Sequence, residues 1–262
     1  MRWIRYTVAG RTVYGLVEGE QIAEVAGDPF DGWQPTNIRH ALSEVRVELP
    51  VVPPTFYCVG LNYAQHVTLA AKRLGIEAKL PEKPDVGYRT NNALLAHGRD
   101  VVIPADATDK VQYEGELVAV IGKRCRNVSE ADALKYVLGY TIGNDVSERT
   151  WQKGDRTLWR AKNTDTFKPM GPWIETDVPD LDKLETIVRV NGAESVRFKT
   201  NDMIHGVALY ISTISRYCTL EPRDVLWMGT DLFSPDLKHG DLVDVEITGI
   251  GTLSNRFVRA GM

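Results

Sequence analysis

Cysteine is scarce in this 262-residue chain: Cys58, Cys125 and Cys218 are odd in number and widely spaced. Three scattered thiols supply neither a disulfide framework nor a cysteine metal site, and they fit free buried thiols in a reducing cytosol. Long apolar runs are missing too; none approaches the roughly 20 residues that a membrane helix needs. The opening "MRWIRYTVAG" lacks the apolar stretch and cleavage site of a secretory signal. Without a secretory route, the Asn127 sequon "NVS" has no use. Excess positive charge is also lacking: the net charge is −4, which argues against nucleic acid or anionic lipid as a partner. No 20–50-residue repeat and no regular strand–helix alternation occur, so a solenoid and a doubly wound sheet are both disfavoured. The expected location is the cytoplasm.

What the chain does have is length and apolar content, 43% hydrophobic, enough for one large domain with a small appendage. Residues 2–25 carry short alternating apolar runs broken by glycine, the pattern of a small antiparallel meander. A weak helical pattern follows in "NIRHALSEV", and Pro50, Pro53 and Pro54 then punctuate a linker. These place a small N-terminal β domain at 1–52 and the main domain at 53–262. In the main domain, "TFYCVG", "VVIP", "VQYEGELVAVIG" and "YTIGND" read as strands. "LNYAQHVTLAAKRLGI" has helical spacing, as does "SEADALKYVLG", with Ser129 and Asp132 as a capping box. Asn191-Gly192 between alternating runs marks a hairpin. The fold class expected is α+β, mainly β.

One strand poses an electrostatic problem. Glu114 and Glu116 lie two apart in "VQYEGELVAVIG", and a strand sends such residues to the same face. Val118 and Val120 continue that face, so it would have to turn from apolar to wet within one strand. Three resolutions are open: the face meets water, one glutamate is protonated, or a cation sits between them. Asp145 closes the next strand after the intervening helix, where strand pairing would add a third carboxylate. Three such oxygens without nearby cysteine or histidine suit a hard divalent ion, Mg²⁺ or Mn²⁺, with Ca²⁺ a poorer fit.

The segments "VGLNYAQH", "YEGELVAVIGK…GYTIGNDVSERTWQ", "AKNTDTFKPMGPWI", "GTD" and "GDLVDVEITGIGTLSN" occur in an order that resembles the fumarylacetoacetate hydrolase family. The likeness runs from about Phe56 to Phe257; residues 1–50 resemble the small β domain of bacterial members. It implies a mixed β-sandwich or roll and a homodimer. It also implies a divalent metal held by Glu114, Glu116 and Asp145, chelated by the oxygens of a 2-oxo acid. By the same resemblance His66 is the water-activating base, Lys162 stabilises enolate charge, and Gln152 lies close to metal and substrate. Thr230 binds the pyruvoyl carboxylate, and Arg89 with Tyr88 and Asn91 contacts a second carboxylate or is ion-paired. Arg149 is expected to orient a metal carboxylate.

The activity implied is hydrolysis of an acylpyruvate of the fumarylpyruvate or maleylpyruvate type, from aromatic catabolism, to pyruvate and a second acid. Two departures bear on it. Leu69 stands where many relatives have the glutamate of H-x-x-E that pairs with the histidine, and Glu77 is the nearest substitute along the segment. Asp231 replaces the proline of G-T-P, in a loop expected to select the substrate. Decarboxylation, isomerisation or dehydration of a related 2-oxo dicarboxylate, through the same enolate, is the alternative, and a non-enzymatic ligand-binding module is a third reading. Residues 62–78 are a candidate lid.

Overall fold

The computed structural model describes residues 1–261, apart from the side chains of residues 73 and 74. The N-terminal meander is β1 (Arg2–Val8), β2 (Arg11–Glu18), β3 (Gln21–Asp28) and β4 (Gly32–Ala41), with a short β5 (Arg46–Val47) back on β1. The chain continues through β6 (Phe56–Val59), α1 (Ala64–Leu74), β7 (Val86–Tyr88), β8 (Leu94–Leu95) and β9 (Val101–Ile103). Next come β10 (Val111–Gln112), β11 (Gly115–Ile121), α2 (Glu130–Ala133), β12 (Val137–Asn144), β13 (Ser147–Glu148), α3 (Arg149–Gln152) and α4 (Trp159–Asn163). The last third holds β14 (Lys168–Glu175), β15 (Glu185–Val190), β16 (Ala193–Lys199), α5 (Val207–Tyr217), β17 (Val225–Trp227), β18 (Leu242–Ile247) and β19 (Gly251–Arg259). The fold is mainly β.

A twelve-stranded sheet runs β4-β3-β2-β1-β14-β12-β11-β17-β6-β7, with β5 beside β1 and β8 beside β14, and a five-stranded sheet runs β16-β15-β18-β19-β9. The meander therefore joins the main sheet, with Arg2 and Trp3 opposite Glu175 and Ile174. β11 is buried at every position because both its faces are covered, which is why its sequence is continuously apolar rather than alternating. Leu117, Ala119 and Ile121 share a core with Val188, Val245 and Phe257 of the five-stranded sheet. Val118 and Val120 turn the other way, into a core with Phe56, Trp227 and Trp3. The sheets approach closely beside the carboxylate strand. A Cβ on Gly115 would lie 2.9 Å from Val245 and 3.0 Å from Val188, and one on Gly143 only 2.6 Å from the Trp227 ring.

Two helices expected from local pattern are overridden by strand pairing. Residues 37–41 continue β4, with His40 opposite Ile22 and Ala41 opposite Gln21, and only a 3₁₀ turn over Leu42–Glu44 follows. Their peptide groups are taken by the neighbouring strand, and that outweighs a weak helical propensity. The second helix shrinks to α2 and a 3₁₀ turn because Val137 pairs with Ile121. Its cap is as expected: Ser129 Oγ accepts the Asp132 N–H at 3.2 Å. The hairpin also forms, with Asn191 and Gly192 at φ 53° and 80° between β15 and β16. The helix α5 corresponds to no sequence expectation.

Two outcomes test this packing. Gly143→Ala is expected to destabilise the fold by about 1–3 kcal/mol through overpacking against a rigid indole, read from the urea midpoint. Glu175 joins the meander to the core by accepting from the Met1 amine at 2.9 Å and Arg2 Nε at 3.1 Å. Burial pushes its pKa up, but the amino terminus, the Asp177 N–H and Arg2 outweigh burial and hold it below the ordinary carboxylate range. A depressed acid stabilises above its unfolded pKa and loses that contribution as pH falls through the folded one. Glu175→Gln should therefore cost up to about 1 kcal/mol at pH 7, its partners being largely exposed. The gap to the parent protein should close below about pH 4 in acid titrations of stability.

Candidate active site

The carboxylate cluster is assembled by one stretch of antiparallel pairing. Between β10 and β11 the chain leaves the ladder at residues 113–114. There the Glu114 N–H donates to Asn144 Oδ1 at 3.0 Å, and the Glu114 carbonyl accepts the Asp145 N–H at 2.8 Å. With Gly115 opposite Asn144, Asp145 is delivered beside Glu114, and Glu116 follows two residues on. Carboxylate oxygens of all three lie within 4.8 Å of one another. The residues are 7%, 2% and 1% exposed, so the strand face does not meet water, and that resolution of the two-glutamate problem falls away.

Four cations converge on two of the three acids. Lys162 Nζ lies 2.6 Å from Glu114 Oε2 and 3.1 Å from Asp145 Oδ2. Lys168 Nζ is 2.6 Å from Asp145 Oδ1, Arg89 Nη2 is 2.9 Å from Asp145 Oδ2, and Arg149 Nη2 is 2.7 Å from Glu114 Oε1. Burial acts to raise Glu114, but Lys162 and Arg149 prevail and hold it at about 2. Burial likewise opposes ionisation of Asp145, and Arg89, Lys162 and Lys168 bring it well below the usual range. Lys168 is lowered to about 8 by its own burial, partly offset by Asp145.

Glu116 is different. Among the described residues no lysine or arginine lies within ion-pair distance of it, and it accepts one backbone N–H, from Gly229 at 2.8 Å. Burial, then Asp145 and Glu114, push it well above the ordinary carboxylate range. Each like-charge pair at such separations costs on the order of 3–4 kcal/mol at an effective dielectric of about 20. One hydrogen bond to a charged group returns only about 1.5–3 kcal/mol. Lys162 opposes the upward push only in part, and a further cation would favour the ionised form of Glu116. The donor set, three carboxylates and no sulfur or imidazole, fits a hard divalent ion, which Glu114, Glu116 and Asp145 would hold.

The remaining expected residues are dispersed around this cluster. Gln152 ends α3, where its Oε1 accepts from Arg149 Nη1 at 2.9 Å, one residue away from Glu114 through that arginine. Thr230 is half-buried directly after Gly229. His66 lies on α1, and its Nδ1 is 2.7 Å from the Leu232 carbonyl; since a carbonyl only accepts, Nδ1 carries the proton. Leu69 is half-buried one turn on, and Glu77 is exposed beyond the helix end. Arg89 is placed on Asp145, not in one group with Tyr88 and Asn91. The Tyr88 side chain is 58% exposed, and the Asn91 amide donates to the Pro53 carbonyl at 2.8 Å. The ion-paired form of Arg89 is thus the one observed.

Two residues escaped the sequence reading. Lys168 is fully buried at the start of β14, and the signal was available: a lysine inside the apolar run "TFKPMGPWI" is the same anomaly as a glutamate in "YEGELVAV". Asn62 gave no such signal. Its Nδ2 donates to the Met228 carbonyl at 3.0 Å and the His205 carbonyl at 3.1 Å, and its Oδ1 accepts the His205 N–H at 3.0 Å. It thereby ties the start of α1 to the strand end that precedes Gly229.

Comparison with known proteins fits this geometry. The family model described as fumarylacetoacetate hydrolase C-terminal matches residues 55–258, and one described as Rv2993c-like, N-terminal, matches residues 1–50. The chain belongs to the fumarylacetoacetate hydrolase family. An oxaloacetate tautomerase of Bacillus subtilis is 34% identical, covering 95% of this chain and 87% of its own. A 2-hydroxyhepta-2,4-diene-1,7-dioate isomerase from Mycobacterium marinum superposes with a TM-score of 0.89 at 38% identity, over 100% of both chains. A maleylpyruvate hydrolase from Sphingobium, solved with manganese and pyruvate, superposes at 0.80 with 26% identity, over 99% of both. Family membership thus spans isomerases, tautomerases and hydrolases.

If Glu116 is kept as an anion for a metal, its neutral isostere should separate folding from binding. Glu116→Gln is expected to leave the melting temperature unchanged or higher, since it removes two buried repulsions. Mn²⁺ affinity measured by calorimetry should fall at least about tenfold. Undiminished affinity would show that the three acids do not act together as ligands.

Proposed function

We propose that this protein is a divalent-metal-dependent tautomerase or isomerase of a 2-oxo dicarboxylic acid, working through an enolate. The observation that carries this reading is the environment of His66. Its Nδ1 is committed to a backbone carbonyl, Leu69 occupies the place of a carboxylate partner, and Nε2 is left with the lone pair of the neutral ring. Such a histidine suits moving a proton to and from carbon. The hydrolytic members that the chain resembles pair this histidine with a carboxylate, which position 69 does not supply.

In the reaction proposed, the base takes a proton from the carbon next to the 2-oxo group. The C–H electron pair forms the C=C bond, and the carbonyl oxygen takes up the negative charge. The protonated base then gives its proton to that oxygen, which forms the enol and restores the base, and the reverse sequence returns the ketone, with no co-reactant. A divalent ion held by the three carboxylates would supply Lewis acidity to the 2-oxo group. Lys162, buried between Glu114 and Asp145, adds a fixed positive charge without reorganisation. Thr230, beside the Gly229 N–H, is assigned to the substrate carboxylate. The charge balance favours a dianion: Arg89, Arg149, Lys162 and Lys168 already oppose three acids, so a bound divalent ion leaves the site strongly positive. The tautomerase and isomerase named above support this class.

A second reading is hydrolysis of an acylpyruvate to pyruvate, which the likeness to the manganese- and pyruvate-bound maleylpyruvate hydrolase favours. The two divide on product. With Mg²⁺ or Mn²⁺ present, enol–keto conversion of oxaloacetate should be accelerated, abolished by chelation, restored by metal, and lowered at least about 100-fold in His66→Ala. Pyruvate release from fumarylpyruvate or maleylpyruvate, without acceleration of tautomerisation, would replace this reading by the hydrolytic one.

A further inference from the structure

The segment from Gly229 to Phe233 is fastened at both ends to the candidate machinery. At one end the Gly229 N–H holds Glu116 at 2.8 Å; at the other the Leu232 carbonyl holds His66 Nδ1 at 2.7 Å, and the Phe233 ring lies 5.1 Å from the imidazole. Leu232 adopts φ 60°, a left-handed conformation that L side chains rarely take and that persists only where surroundings impose it. The preceding side chain is hydrogen-bonded to the backbone of this residue. Asp231 is 6% exposed, and its Oδ1 accepts the Leu232 N–H at 2.8 Å.

We infer that Asp231 is a positioning residue for His66, acting through the Leu232 backbone in place of the carboxylate missing at position 69. The chain of contacts is short. The Asp231 carboxylate takes the Leu232 N–H and turns that residue into the left-handed region. The turn aims the Leu232 carbonyl at Nδ1, and the carbonyl holds the proton there, so that Nε2 keeps its lone pair. A histidine paired directly with a carboxylate has its tautomer set by an anion. Here a neutral carbonyl sets it, and the anion is kept one peptide away. This fixes the tautomer and the orientation of the ring. Asp231 is thus assigned a structural effect on the base, separate from contact with substrate.

This inference rests on His66 being the base, and the test keeps the two apart. Histidine-labelled protein carrying Asp231→Ala or Asp231→Asn is compared with the parent by ¹⁵N NMR of the imidazole nitrogens, and by oxaloacetate tautomerisation with Mn²⁺. In the parent and in Asp231→Asn, whose side-chain oxygen still accepts the Leu232 N–H, the Nδ1–H tautomer should dominate and kcat should agree within about threefold. In Asp231→Ala the Nδ1–H signal should weaken and kcat should fall about 10–100-fold, with KM changing less than about threefold. A loss in Asp231→Asn as large as that in Asp231→Ala would overturn the proposal, because the charge rather than the acceptor would then matter. So would an unchanged tautomer in Asp231→Ala. Should His66→Ala retain full activity, the assigned base fails, while the NMR result still reports whether Asp231 controls the ring.

Discussion

Three carboxylates share a space of a few ångströms in the interior of this protein, and the surrounding architecture is organised by their repulsion. Three anions at this spacing in a buried site cannot remain ionised unaided, since each pair opposes the others by several kcal/mol. Lys162, Lys168, Arg89 and Arg149 neutralise Glu114 and Asp145. Among the described residues Glu116 is left without such a partner, and its charge is the one that a divalent ion would compensate. With all three acids ionised the cluster opposes folding, and a divalent ion held there would relieve that opposition.

The sheets set the strength of that opposition. Because both faces of β11 are covered, the carboxylates sit where water is excluded and every charge interaction is amplified. Close approach at Gly115 and Gly143 leaves the strand no freedom to relax away from the strain. The lysines are equally constrained. Lys168 Nζ also donates to the carbonyls of Val146 and Phe167, at 2.9 and 2.8 Å, so its position is set by backbone as well as by Asp145. A site held this rigidly favours chemistry in which charge moves over a few atoms while the protein stays still, as in enolate formation.

The outer part of the site follows a softer logic. His66, the proposed base, is carried on a helix, oriented by a loop carbonyl, and connected to the three carboxylates by the same loop. Asn62 clamps that loop's strand to the start of the helix, so the anion cluster and the histidine share one framework although they come from distant parts of the chain.

Sequence by itself determined the parts whose physics is local. The two glutamates on one strand face, the Asn-Gly hairpin, the Ser129 cap and the predominance of β structure follow from period-two alternation, turn stereochemistry and hydrogen-bonding groups within a few residues. Ordered motifs carried the family and the roles they imply. Only the tertiary structure decided which groups meet. It placed Arg89 on Asp145, brought Lys168 into the cluster and turned two weak helical patterns into strand and 3₁₀ turn. It also put the Leu232 carbonyl on His66 Nδ1. The reason is common to all four: each depends on partners 16 to 166 positions away, and local propensity, worth a few tenths of a kcal/mol per residue, yields to pairing and burial that only the folded chain supplies.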